Sequence, residues 1–235
     1  MKAAARRSHY LSCRRPALCT AIWRASKRRV SVAVADFSVT TIDLLRHGAC
    51  EGGEIFRGST DVGLSDTGWQ QMREAVSDIA GWSKILCSDL KRCHAFASEL
   101  ATARETDWIP DRRFREIHFG DWEGQLISDI REQFPQEWRA FFSKPSQATT
   151  PNGEAMADFH QRVTPAISEW ATELKGEHFL LVAHGAVIRS IMVNWLQMPL
   201  DAITSLSVPY ACLTRFKIFE QKGSEPWAQL VFHRG

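Results

Sequence analysis

The chain has 235 residues, 44% hydrophobic and 24% charged, the make-up of a globular α/β domain with room for a core. No apolar run approaches the roughly 18–20 residues of a helical membrane span. Residues 1–35 hold nine of the 29 Lys/Arg and none of the 27 Asp/Glu. Behind a net charge of +2 there is therefore an acidic body of about −7, with no general basic surface for nucleic acid.

Residues 1–38 are rich in Arg, Ala and Ser without a helical or strand period, and are read as a basic, disordered N-terminal extension. A transit peptide and translation upstream of the true start are the competing readings. A nucleic-acid-binding arm is the sharper alternative. Residues 39–235 are expected to be one folded domain. The six cysteines form no CxxC pair and no zinc-spaced cluster, which points to thiols in a reducing cytoplasm and to no metal site.

From Thr40 the pattern becomes regular. Thr41–Leu45 is a short apolar strand, followed by a glycine-rich loop to Ser65. Asp66–Ala80 reads as a helix, with Trp69, Met72, Val76 and Ile79 at three- and four-residue spacing. Lys84–Cys87 is a strand, Lys91–Ala103 a helix, and Thr106–Ile109 a strand stopped by Pro110. Pro135–Phe142 is a short helix. Ala155–Lys175 is a long one in which Pro165 predicts a kink or break. His178–Ala183 is a strand, Ala186–Leu196 a helix, and Cys212–Phe219 and Trp227–Phe232 are closing strands, read as an antiparallel pair. Alternating strands and helices imply a mainly parallel sheet covered on both faces.

Three of these strands run into polar residues of one kind: Arg46-His47-Gly48, Ser88 to Arg92, and His184-Gly185. Ligands of open α/β sheets bind beyond the carboxyl ends of the strands. All three segments are therefore aimed at one edge, where two arginines and two histidines suit a phosphate dianion. The helix beginning near Ala186 adds N–H groups and its positive end. Each piece alone is commonplace; the recurrence of a strand ending in His-Gly is what carries weight.

LLRHG at Leu44–Gly48, CSDLKRCHAFA at Cys87–Ala97, EIHFGDWEG at Glu116–Gly124 and VAHG at Val182–Gly185 resemble, in that order, the motifs of the histidine phosphatase, or phosphoglycerate mutase-like, superfamily. The resemblance spans about Thr40 to Phe232. It implies a three-layer αβα sandwich with a mainly parallel central sheet and a phosphomonoesterase that needs neither metal nor cofactor. By the resemblance, His47 is the nucleophile, Arg46, Arg92 and His184 hold the equatorial oxygens, and Glu116 is the acid and base. A carbonyl on the other ring nitrogen of His47 would set the required tautomer.

The loop FRGSTDVGLS resembles the family's substrate loop and offers Arg57 and Gly58. Gly185 is a further substrate contact, and His118 is read as facing the pocket mouth. Trp122 is read as a core anchor. Where many relatives carry an Asn after RHG, this chain has Ala49 to Glu54, and Gly52 and Gly53 are expected to offer N–H groups instead. The compact stretch between Glu116 and His184 favours hydrolysis over mutase chemistry, which needs a lid to exclude water. Within the phosphatases, RGSTDVGLSDTGWQQM and REIHFGDWEG are similar to α-ribazole phosphatases, which implies α-ribazole 5′-phosphate as substrate. A broad-specificity phosphatase on sugar phosphates, nucleotides or a phosphoprotein is the alternative reading, and a small phosphate monoester is the expected partner.

Overall fold

A computed structural model describes residues 37–235. Except for its last two residues, the N-terminal extension lies outside the described residues. Six strands form one sheet: β1 Phe37–Arg46, β2 Lys84–Cys87, β3 Trp108–Pro110, β4 His178–Ala183, β5 Leu213–Gln221 and β6 Trp227–Arg234. Their order is β3-β2-β4-β1-β5-β6. The first four strands in that order run parallel, and β5 and β6 close the sheet antiparallel.

β4 lies at the middle of the parallel block, and Phe179 to Ala183 are fully buried. Its alternation sends Phe179, Leu181 and Ala183 to one face and Leu180 and Val182 to the other. The first face packs on α5 Met156–Glu173 and α6 Gly185–Trp195, together with α3 Ile127–Gln133 and α4 Pro135–Ser143. The second packs on α1 Asp66–Ala75 and α2 Lys91–Arg104. The result is an αβα sandwich with two separate apolar cores.

Three expectations are corrected. α5 runs unbroken through Pro165. That proline and Gln161, whose carbonyl it orphans, both lie on the exposed face, where water can take the missing partner's place. Pro110 does not stop β3 but ends it as a paired residue, which is tolerated because β3 is an edge strand. α1 stops at Ala75, yet Val76 and Ile79 remain buried in the same core. The short helix α3 had not been expected. None of the described helices is long and apolar enough to cross a membrane.

Candidate active site

The site is built where β1, β4 and β2 end side by side. Arg46 is in register with Ala183, and Cys87 with Val182. Beyond the strands the ladder continues, with His47 N–H donating to Ala183 O at 2.9 Å and Ser88 N–H to Val182 O at 3.0 Å. His47, His184 and Ser88 thus stand in a row at the carboxyl edge, as the strand-end reading expected. The turn after His47 is tight. A Cβ on Gly48 would lie 2.2 Å from Gly68 O, and one on Gly68 would lie 1.9 Å from Ala49 O. Two glycines therefore let α1 press backbone to backbone against the histidine loop.

His47 is 5% exposed. Its Nδ1 faces Gly48 O at 2.8 Å; a carbonyl can only accept, so Nδ1 carries the proton and Nε2 keeps its lone pair. Burial, then the charges of Arg92 and Arg46, hold its pKa well below the ordinary imidazole value. Glu116 is the opposite case. Burial raises its pKa, although its carboxylate accepts from Ala186 N–H at 3.1 Å and Ile117 N–H at 3.0 Å. A histidine biased toward its neutral form and a carboxyl biased toward its protonated form therefore line one cavity.

Arg46 and Arg57 supply positive charge. Arg46 donates through Nη1 to Val208 O at 2.7 Å, and its guanidinium lies 4.2 Å from the centre of the Tyr210 ring. Arg57 donates through Nη2 to Glu51 O at 2.7 Å and to Gly53 O. In both, Nε–H is buried without a partner among the described residues. Buried donors of this kind are costly unless an acceptor arrives. Gly52 and Gly53 have positive φ, 84° and 76°, and the turn they make serves to hold Arg57 by its carbonyls. They are not part of the cavity wall, contrary to the expectation that their N–H groups meet the ligand.

Arg92 and His184 sit directly behind the wall and not on it. Both are 0% exposed. Arg92 Nε donates to His184 Nδ1 at 3.2 Å, Nη1 to Thr60 O at 2.9 Å, and Nη2 to Gly58 O at 2.8 Å and Arg57 O at 3.2 Å. His184 Nε2 then carries the proton and faces Ser88 Oγ at 2.8 Å. The His47 and His184 rings meet edge on, with centroids 5.2 Å apart.

The segment Arg57–Thr60 is bracketed: Arg92 takes its carbonyls, and Glu123 accepts from the N–H groups of Gly58, Ser59 and Thr60 and from the Thr60 hydroxyl. Gly58 is not among the residues that line the cavity, and a Cβ there would lie 2.0 Å from Ile117 O, so its place is a packed one. His118 is also corrected. It is exposed, its Nδ1 accepts from Gly120 N–H at 3.2 Å, and it does not line the cavity. Trp122 is buried at 1% exposure, as a core anchor should be.

These groups open into a cavity of about 250 Å³. Its floor is Arg46, His47, Arg57, Glu116 and Gly185. Its walls are apolar and aromatic, with Phe56, Phe141 and Met156 buried, Phe119 half-buried, and Ile127 and Phe142 more exposed. Arg189, Thr204 and Tyr210 complete it. Arg189, Tyr210 and Glu123 had not been singled out in the sequence. Only Arg189 carried a usable signal, since it follows Gly185 by four residues and so shares its helix face. Among the described residues, no group of three or more His, Cys, Asp or Glu side chains is placed to hold a metal ion.

Comparison with known proteins agrees with this geometry. Residues 42–227 match the family model described as histidine phosphatase superfamily (branch 1). The chain is 31% identical over 163 residues to phosphoglycerate mutase-like protein 4 of Arabidopsis thaliana, covering 66% of this chain and 71% of that one. It is 25% identical over 181 residues to the adenosylcobalamin/α-ribazole phosphatase of Salmonella typhimurium, covering 75% and 90%. The native structure of a mycobacterial glucosyl-3-phosphoglycerate phosphatase superposes with a TM-score of 0.73 at 25% identity, covering 82% of this chain and 97% of that one. With a matched segment running from β1 into β6 and the RHG, Glu116 and His184 elements assembled at one edge, the chain belongs to branch 1 of the histidine phosphatase superfamily.

Proposed function

We propose that the protein hydrolyses small organic phosphate monoesters through a phosphohistidine on His47, without a metal ion. The observation that carries this is one cavity lined by Arg46 and Arg57 together with a histidine whose Nε2 lone pair is free by tautomer. In the first step Nε2 of His47 attacks phosphorus in line and the P–O ester bond breaks. The equatorial oxygens take up the Arg46 and Arg57 donors, and Glu116 passes its proton to the departing alkoxide. In the second step a water attacks the phosphorus, its proton returns to Glu116, and the P–N bond breaks to give inorganic phosphate. Arg92 and His184 act from behind, by holding the Arg57–Thr60 segment and by packing on His47.

For the leaving group, the aromatic wall of Phe56, Phe119, Phe141 and Phe142 supports a bulky, partly apolar moiety. That suits the benzimidazole nucleoside of α-ribazole 5′-phosphate, in line with the motif resemblance and with one of the relatives. A second reading, a phosphate ester bearing another anionic group, is favoured by Arg189 in the same wall. A cytoplasmic setting belongs to this reading; the four described cysteines are free and buried.

The test is hydrolysis of α-ribazole 5′-phosphate, 3-phosphoglycerate, a nucleoside monophosphate and p-nitrophenyl phosphate in the presence of EDTA, by wild type and His47→Ala. Phosphate-labelled protein is trapped in parallel by alkaline quench. Turnover with EDTA, label on His47 and an inert His47→Ala support the proposal; an active His47→Ala overturns it. Strong preference for α-ribazole phosphate would support the cobalamin-precursor substrate, and equal turnover of all four would remove it.

A further inference from the structure

The cavity holds more positive charge than one phosphoryl group uses. Arg46, Arg57 and Arg189 line it against a single carboxyl, Glu116, and His47 is held neutral. Arg46 and Arg57 suffice for the equatorial oxygens of a dianion. Arg189 is then in excess, and its setting is unusual for a structural arginine. It projects from α6 one turn beyond Gly185, Nε donates to Leu206 O at 2.7 Å, and no carboxylate among the described residues lies within ion-pair distance.

Its guanidinium also crowds another. Nη1 of Arg189 lies 3.5 Å, and Nε of Arg46 3.4 Å, from the point a Cβ would occupy on Gly185. Two like charges thus converge on one glycine at the start of a helix, where the helix end is itself positive. Burial depresses the pKa of both. Glu116 in the same wall is the one carboxyl that offsets either charge, and it does so for both at once, which leaves room for an anion beside Arg189.

We infer that Arg189 is a specificity residue that binds a second oxyanion on the leaving group, a carboxylate or a second phosphate, while Arg46 and Arg57 hold the phosphoryl group being transferred. The inference rests on the phosphatase reading and extends it to the substrate class. The planar fork of Arg189 has both Nη groups available for such an oxyanion, its only hydrogen bond among the described residues being the one from Nε, and Thr204 in the same wall can add a hydroxyl.

The test uses the purified full chain and substrate pairs that differ in the second anion. Phosphoserine is compared with phosphoethanolamine for a carboxylate, and fructose 1,6-bisphosphate with fructose 6-phosphate for a phosphate. The expected result is a preference of about 10–100-fold in kcat/KM for the anionic member of one pair, expressed mainly in KM. Arg189→Met should abolish that preference, and Arg189→Lys, which keeps the charge but loses the fork, should restore part of it. If Arg189→Met does not fold, the reduced preference of Arg189→Lys decides. Hydrolysis of monoesters with no anion preference, a preference that survives Arg189→Met, or α-ribazole 5′-phosphate outrunning every anionic substrate would each overturn the inference and leave the phosphatase reading standing. A wild type that hydrolyses no phosphate monoester would overturn the phosphatase reading, and this inference with it.

Discussion

Nε of Arg92 donates to Nδ1 of His184 at 3.2 Å, which puts the His184 proton on Nε2 and aims it at Ser88. The same guanidinium gathers three carbonyls of the Arg57–Thr60 segment. One buried side chain therefore fixes a tautomer and the position of the loop that carries Arg57. Lysine has the charge but not the fork. Arg92→Lys should lower kcat/KM by about 10²–10³-fold, the scale of losing a preorganised donor set. Steady-state kinetics beside a thermal melt will check this; kcat/KM within a few-fold of wild type would show that the bracket is dispensable.

Glu116 should matter in proportion to how much the leaving group needs a proton. Glu116→Gln keeps the size and the acceptor for Ala186 but cannot donate, and should cost about 10²–10⁴-fold on an alkyl phosphate. The loss on p-nitrophenyl phosphate, whose anion leaves unaided, should be much smaller. Equal losses on both would assign Glu116 a role other than acid.

The pH profile follows from the two opposed shifts. His47 must be neutral, and its depressed pKa keeps it so until the pH is well below 6.5. Glu116 must be protonated, and its raised pKa carries that form above the ordinary carboxylate range until it is lost as pH rises. The kcat/KM profile should therefore be bell-shaped, with its acid limb below the usual histidine range. An acid limb centred at 6.5 would contradict the burial of His47.

Gly48 and Gly68 should be intolerant of any side chain. Gly48→Ala drives a methyl into the Gly68 backbone, which cannot move without displacing α1. Stability and activity should fall together, by about 1–3 kcal/mol in unfolding free energy. Gly63→Ala, which meets nothing within 4 Å, is the control and should stay within about 0.5 kcal/mol. Urea titrations of both variants make the comparison.

Asp43 is a buried carboxylate away from the site. It accepts from Arg215 Nε at 2.7 Å, Trp82 Nε1 at 2.8 Å and His178 Nε2 at 2.8 Å. Burial opposes its charge, but these partners prevail and its pKa is lowered. It therefore contributes stability above its unfolded pKa of about 3.9, and loses that contribution as pH falls through the lower folded value. Asp43→Asn should cost about 3 kcal/mol at neutral pH, with the gap to wild type closing toward acid. A gap independent of pH would mean that shape and not charge is what Asp43 provides.

The alternation of apolar strands and amphipathic helices, with RHG and HG at strand ends, was enough to read a mainly parallel αβα sheet with Arg46, His47, Arg92 and His184 toward its carboxyl edge, while Glu116 came only from the motif resemblance. Those features are local: periodicity follows from which face is buried, and strand ends follow from where apolar runs stop. What tertiary structure alone decided is which of the five line the cavity. His47, Arg46 and Glu116 line the cavity, whereas Arg92 and His184 lie behind it, because Arg92 spends its donors on carbonyls 32 to 35 residues away in the chain. No local pattern encodes that choice. Arg189 shows the same limit from the other side: its spacing from Gly185 was legible, but its place beside Arg46 without an ion pair of its own among the described residues emerges only when α6, the Leu206 loop and β1 are brought together.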